Sequence, residues 1–334
     1  MHIVLLEPIG VPDTCIQELA ADLISAGHRL TCYPTRTTDP QELGRRSRDA
    51  DIIIIANTPY PAEAIRQADR LKMIDVAFTG IDHIDTAACT SRGITICNAA
   101  NYANQPVAEL AVGLAIALLR SIPAADTAAR TGNTSAAFTG REIAGRTVGI
   151  IGTGRIGLAA ARLFSAFGAK ILAFSRSESE AAHALGITYV PLDTLLRESD
   201  IISLHVPATP ETHHLINAER LALMKPSAIL INCARGSVVD NAALARALTE
   251  GTIAGAGIDV FDTEPPLPQD YPLLAAPNTI LTPHIGFLSE ESMRRRAEIV
   301  FQNITAYLSG SPENVCRWQS RYKTRKRKKD QRRA

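Results

Sequence analysis

Short apolar runs alternate with stretches of helical periodicity along most of this chain. Runs at 2–6, 30–33, 51–56, 73–78 and 94–97 predict strands, and 13–26, 40–47, 62–68 and 85–92 between them predict helices. A second series follows, with strands at 147–152, 170–174, 201–206, 228–233, 257–260 and 279–282. Its helices are expected at 156–167, 193–197, 218–223 and 241–250, and a final helix at 290–308 is expected to return to the first series. Such alternation implies an α/β fold with parallel sheets covered on both faces. Residues 107–120 predict a helix that is apolar nearly all round and therefore buried, at a domain or subunit junction. Residues 121–140 are small and polar and predict an arm or loop. There is no solenoid-type repeat.

The second series opens on Val148-Gly-Ile-Ile-Gly152-Thr-Gly154-Arg155-Ile156-Gly157, an apolar strand running through Gly-x-Gly-x-x-Gly into a helix. Gly152 suits a tight turn, Gly154 a close approach of backbone to a pyrophosphate, and Gly157 close packing of helix on strand. The helix N-terminus offers unpaired N–H groups and the positive end of its dipole. With strand, turn, helix and second strand in order, the pattern predicts a dinucleotide site.

Ligands of open parallel sheets sit beyond the carboxyl ends of strands. In the first series those positions include the turns 56–59 and 78–82, the second an ordinary connection when read alone. In the second series they include Arg235, Asp259 and His284, with Glu264 in a proline-stiffened loop. Each has a plain alternative: Arg235 an ion-pair partner, Asp259 a turn cap, Glu264 a solvated acid, His284 a structural histidine. Beside a dinucleotide motif, a histidine, a carboxylate and an arginine are also what reduction of a ketone requires: an acid, a group that tunes it, and a cation for the substrate. The remaining histidines show no metal-ligand spacing, and no metal is expected.

Composition narrows the classes. At 334 residues with 46% hydrophobic content the chain is long enough for about two domains. The longest uncharged apolar run, 110–119, is too short to cross a bilayer, and residues 1–7 lack a signal-peptide pattern. Six cysteines without a Cys-x-x-Cys pair are expected to be reduced, in a cytoplasmic protein. The net charge of +1 conceals a basic tail. From Arg317 to Ala334, ten Lys/Arg face one acid, a local +9, so the rest of the chain carries −8. That tail is expected to be a disordered, solvated flank rather than a nucleic-acid site.

Five ordered motifs carry a resemblance: 145–157, His205-Val-Pro207-Ala-Thr-Pro-Glu-Thr212, Ile231-Asn-Cys233-Ala234-Arg235-Gly-Ser-Val-Val-Asp240, Gly257-Ile-Asp259-Val-Phe-Asp-Thr-Glu264-Pro265, and Thr282-Pro-His284-Ile-Gly286. With them the chain resembles the D-isomer-specific 2-hydroxyacid dehydrogenases over residues 1–315. The resemblance implies two doubly wound parallel-sheet domains. One is a flavodoxin-like substrate domain of 1–99 and 286–315, the other a Rossmann cofactor domain of 100–285, with dimerisation through the latter. It implies that Arg235 holds the substrate carboxylate, that His284 exchanges the proton with the keto oxygen, and that Glu264 orients His284. Asn57 and the backbone at Gly80 and Ile81 would bind substrate. Gly152, Gly154, Arg155, Ile156, Gly157, Ser175, Arg176, His205, Pro207, Thr212, Cys233, Ala234, Asp259, His284 and Gly286 would meet the cofactor. The substrate would be a small 2-keto or 2-hydroxy acid; a corepressor-like cofactor sensor is the alternative on the same fold. Three departures stand out. Ser175-Arg176 replaces the family's usual acid after the second cofactor strand, which favours NADP(H) while leaving NAD(H) possible. Phe287 follows Gly286 and can narrow the pocket, and the tail after Val315 matches nothing in the family.

Overall fold

The structure, a computed structural model, describes residues 1–263 and 265–316. Glu264 and the basic tail lie outside the described residues. The strands are β1 (His2–Leu5), β2 (Arg29–Cys32), β3 (Ile52–Ile55), β4 (Met73–Val76), β5 (Thr95–Asn98), β6 (Thr147–Ile151), β7 (Lys170–Phe174), β8 (Thr188–Tyr189), β9 (Ile201–Leu204), β10 (Ile229–Asn232), β11 (Gly255–Ile258) and β12 (Thr279–Leu281). The helices are α1 (Asp13–Ser25), α2 (Pro40–Ser47), α3 (Ala62–Gln67), α4 (Thr86–Ser91), α5 (Asn104–Leu119), α6 (Ile122–Arg130), α7 (Arg155–Ala166), α8 (Glu180–His183), α9 (Leu192–Glu198), α10 (Ala218–Leu221), α11 (Asn241–Thr249) and α12 (Glu290–Leu308).

The chain divides into two compact units. One holds Met1–Tyr102 and residues 290–316, around a sheet of order β2-β1-β3-β4-β5. Its pairings are parallel. The middle strand β3 is four isoleucines without exposure, the composition of a parallel strand covered on both faces. Helix α2 starts where the Asp39 side chain accepts from Gln41 N and Pro40 fills the first turn. Helix α12 packs on α1, β4 and β5 of this same unit.

The other unit, Ala103–Ser289, is built on a seven-stranded parallel sheet of order β12-β11-β10-β9-β6-β7-β8. The order reverses direction beside β6, where the glycine motif lies. Helix α5 packs within this unit, against α7, β10, β11 and β12. No single helix among the described residues is long and apolar enough to cross a membrane; the bent pair α5–α6 passes by length and composition alone, and seven of the sixteen residues of α5 are buried.

Four elements differ from the sequence reading. Residues 121–140, for which the sequence predicts an arm or loop, contain a helix, α6. Its alanines favour helix but none of its residues is buried, so no apolar stripe marks it. The two-residue edge strand β8 and the four-residue α8 are too short to show a period. Strand β11 begins two residues before the expected 257, because Gly255-Ala-Gly257 is strand by pairing and not by propensity.

Candidate active site

The glycine motif is the join of β6 and α7. Gly152 has φ 98°, and a Cβ there would meet the His205 carbonyl oxygen at 2.5 Å. A Cβ on Gly157 would lie 1.9 Å from the Gly152 carbonyl oxygen, so helix and turn touch through glycine alone. Gly154 is different. Its φ is −70° and an added Cβ would meet nothing within 4 Å. The protein's own packing does not require glycine there; what the position keeps is open space at the start of a twelve-residue helix whose N-cap has no side chain to occupy the first N–H groups. That space and those donors fit a pyrophosphate. Arg155 is exposed and Ile156 half-buried in the first turn. At the end of the adjacent β7, Ser175 is half-buried and Arg176 exposed.

Strand ends further along the same sheet carry the candidate chemistry. After β10, the buried Asn232 side chain accepts from Ala234 N at 3.0 Å and donates to the Arg235 carbonyl at 3.1 Å, shaping the turn that presents Arg235. Arg235 Nη1 donates to the Ala234 carbonyl at 2.7 Å. Cys233 and Ala234 are buried; burial beside Asp259 pushes the Cys233 thiol well above its ordinary value, so it stays protonated.

After β11 comes Asp259, 1% exposed. Its Oδ1 accepts from Thr282 Oγ1 at 2.6 Å and Ile285 N at 2.8 Å, and its Oδ2 accepts from Gly286 N at 2.8 Å. Burial pushes its carboxyl up, while these donors and the neighbouring His284 pull it back. His284 lies inside that turn with φ 57°, and its N–H reaches the Asp259 carbonyl at 2.8 Å. A left-handed non-glycine residue costs energy and persists only where its surroundings impose it. Here they do. The Asp259 carboxylate gathers both sides of the turn, and a Cβ at Gly286 would crowd Asp259 Oδ2 at 2.9 Å. The Phe287 ring stands edge-on to the imidazole, centroids 5.5 Å apart.

His205, after β9, bonds Ser203 Oγ through Nε2 at 2.9 Å. Burial pushes its pKa down to about 4, so the ring is neutral at physiological pH, and its buried Nδ1 has no partner among the described residues. The Thr212 hydroxyl donates to the Pro207 carbonyl at 2.6 Å and accepts from Thr209 N at 2.8 Å, holding that turn closed. In the five-stranded unit, Asn57 follows β3 and Gly80 and Ile81 follow the adjacent β4. The Asn57 carbonyl accepts from Arg36 Nη2 at 3.4 Å, and that of Thr79 from Asn98 Nδ2 at 2.7 Å.

The seven-stranded unit thus gathers the glycine turn, Ser175, Arg176, His205, Arg235, Asp259 and His284 at one sheet edge, and the five-stranded unit gathers Asn57, Gly80 and Ile81 at its own. The sequence reading missed the groups behind them: Asn232, Thr282 and, in the five-stranded unit, Glu7. Glu7 is 3% exposed and accepts from Ala56 N, Thr58 N and Thr58 Oγ1 at 2.9, 3.0 and 2.7 Å. A polar residue ending an apolar run was the available signal. Among the described residues no group of three or more His, Cys, Asp or Glu is placed to hold a metal ion.

Residues 112–286 match the family described as D-isomer specific 2-hydroxyacid dehydrogenase, NAD binding domain. The chain belongs to that family. A glyoxylate reductase of Thermofilum pendens is 43% identical over 278 residues, 81% of this chain and 82% of the relative. Among solved structures, an acyclic imino acid reductase in complex with NADPH and D-Arg superposes with TM-score 0.85 at 30% identity, covering 95% of this chain and 100% of that one. The D-lactate dehydrogenase of Aquifex aeolicus, complexed with NAD and lactic acid, gives TM-score 0.80 at 33% identity, covering 93% and 96%. Both belong to the fold seen here, with its two parallel sheets.

Proposed function

We propose that this 2-hydroxyacid dehydrogenase reduces a small 2-keto acid, of glyoxylate or hydroxypyruvate size, to the D-2-hydroxy acid, with NADPH preferred to NADH. The observation that carries the reading is one sheet edge bearing, at the ends of β6, β10 and β12, open space at a helix N-terminus, an arginine and a strained histidine. The cofactor, when bound, supplies the hydride. Gly152 to Gly157 hold its phosphates through backbone N–H groups, with His205, Pro207, Thr212, Cys233 and Ala234 along its path. Arg235 pairs with the substrate carboxylate and draws charge from the keto oxygen through charge-assisted hydrogen bonds. His284 gives its proton to that oxygen on reduction and takes it back on oxidation. Glu264, outside the described residues, is assigned the orientation of His284 from the resemblance. Asp259 acts on the turn that carries His284. Asn57, Gly80 and Ile81 bind the acid.

NADPH is preferred because the strand end that would carry an acid to receive the ribose hydroxyls carries Ser175-Arg176, and among the described residues Arg176 makes no ion pair that would compete with a 2′-phosphate. A charge-assisted bond of ~1.5–3 kcal/mol gives roughly a ten- to hundredfold preference. A homodimer is supported by α6, which buries no residue in its own chain and leaves Ile122 48% exposed. A cytoplasmic location is supported by the six free cysteines. Nothing observed favours the corepressor-like alternative.

The test is consumption of reduced nicotinamide with glyoxylate, hydroxypyruvate and pyruvate, using NADPH and NADH in turn, for the native enzyme, His284→Ala and Arg176→Ala. Turnover should fall about 10²–10⁴-fold in His284→Ala with cofactor binding retained. The NADPH preference should collapse in Arg176→Ala. A native preference for NADH overturns the cofactor assignment, and near-native turnover of His284→Ala overturns the catalytic one.

A further inference from the structure

The short edge strand β8 delivers one side chain to the cofactor edge of the sheet. Its two residues pair with β7 as Leu172↔Thr188 and Ala173↔Tyr189. The half-buried Tyr189 reaches back toward the glycine turn, and its hydroxyl lies 2.8 Å from Thr153 Oγ1, between Gly152 and Gly154. Thr153 is 8% exposed and Tyr189 half-buried, so the bond is partly shielded from solvent. The same phenol oxygen accepts from Ser179 N at 3.3 Å. Ser179 is the N-cap of α8 and closes the loop that begins with Ser175 and Arg176. The His183 ring leans on the Tyr189 ring at 5.5 Å and pairs with Glu178 at 3.0 Å, so the far side of that loop braces the aromatic ring.

One hydroxyl therefore joins two segments with separate tasks, the turn that meets phosphates and the loop that meets the adenosine ribose. A phenol has one proton to donate and lone pairs to accept with. Ser179 N–H takes up an acceptor site, which leaves the phenol proton available to Thr153 and the threonine proton available to an anion above the turn. We propose that Tyr189 is the positioning residue of the dinucleotide site. Its hydroxyl fixes the spacing between the phosphate-binding turn and the ribose-binding loop, and so sets affinity for the adenosine diphosphate half of the cofactor. The inference rests on the dinucleotide reading of Gly152–Gly157.

Calorimetric titration of the full chain with NADPH and with NADH tests it, using Tyr189→Phe, Thr153→Val and the double variant, each checked for a native thermal midpoint. Tyr189→Phe should weaken both cofactors roughly tenfold, the loss expected for one partly shielded hydrogen bond. The loss should be confined to cofactor affinity, with turnover at saturating cofactor and the keto-acid KM within about twofold of native. The double variant should be no weaker than the weaker single variant, because both remove the same bond. The cofactor ratio provides a readout that general loosening would not move: Arg176→Ala should change it less in the Tyr189→Phe background than alone. Dissociation constants within about twofold of native in Tyr189→Phe, or fully additive single effects, would overturn the proposal. A native chain that binds neither dinucleotide would overturn the underlying reading with it, whereas a native chain that binds while Tyr189→Phe binds equally well sinks only the role of Tyr189.

Discussion

Asp259→Asn tests how His284 is held. The native carboxylate accepts from Thr282 Oγ1, Ile285 N and Gly286 N, all within 2.6–2.8 Å. An asparagine has one acceptor oxygen. Turned to keep Thr282 and Ile285, it sets its NH₂ against the Gly286 N–H; turned the other way, it loses two bonds to keep one. The milder arrangement loses a bond to a charged acceptor, about 1.5–3 kcal/mol, and leaves opposed buried donors that cost about 1–3 kcal/mol more. Holding His284 left-handed costs about 1–3 kcal/mol. The loss matches or exceeds that strain, so the turn relaxes and the imidazole leaves its place. A displacement of about 1 Å at a reacting group costs on the order of a hundredfold in rate. Turnover should therefore fall about a hundredfold, while NADPH affinity, measured by calorimetry, changes little because the glycine turn is untouched. Turnover within about threefold of native would refute the claim that this carboxylate sets the histidine.

Asp75 is fully buried on β4, with Oδ1 accepting from Asn303 Nδ2 at 3.0 Å and Oδ2 unpartnered among the described residues. Burial pushes its carboxyl up to about 8, so folding takes up a proton. Stability from this group is fully present below the unfolded value near ~4 and is lost as pH rises through the folded one. Asp75→Asn should melt higher than native at about pH 9, by a few kcal/mol of stability, and show a flatter slope down to about pH 5; equal slopes would count against a protonated Asp75. Glu7→Gln keeps a single acceptor for the three donors of residues 56–58 and should raise the keto-acid KM several-fold with cofactor affinity unchanged, as steady-state kinetics would show. An unchanged KM would separate Asn57 from substrate binding.

Local pattern was enough for most of the secondary structure, because a parallel strand buried on both faces must be an apolar run and a helix packed on it must repeat near 3.6 residues. It was enough for the glycine motif too, since the positive φ of Gly152 and the close contact of Gly157 with the Gly152 carbonyl arise within one strand–turn–helix unit, while the His205 carbonyl that also faces Gly152 comes from another strand. Arg235, Asp259 and His284 were legible as polar residues ending apolar runs. What the sequence could not contain is which strands lie side by side. The order β12-β11-β10-β9-β6-β7-β8 puts Arg235, Asp259 and His284 on adjacent strand ends although 24 and 25 residues separate them along the chain. Asp259 could be read as a turn cap or as a cofactor contact. Only the fold shows its oxygens committed to Thr282, Ile285 and Gly286. Helix α6 lacks a buried face and β8 lacks the length for a period, so neither left a local signature. Tyr189 and Thr153 meet across 36 residues, a bond that exists only once the sheet has formed.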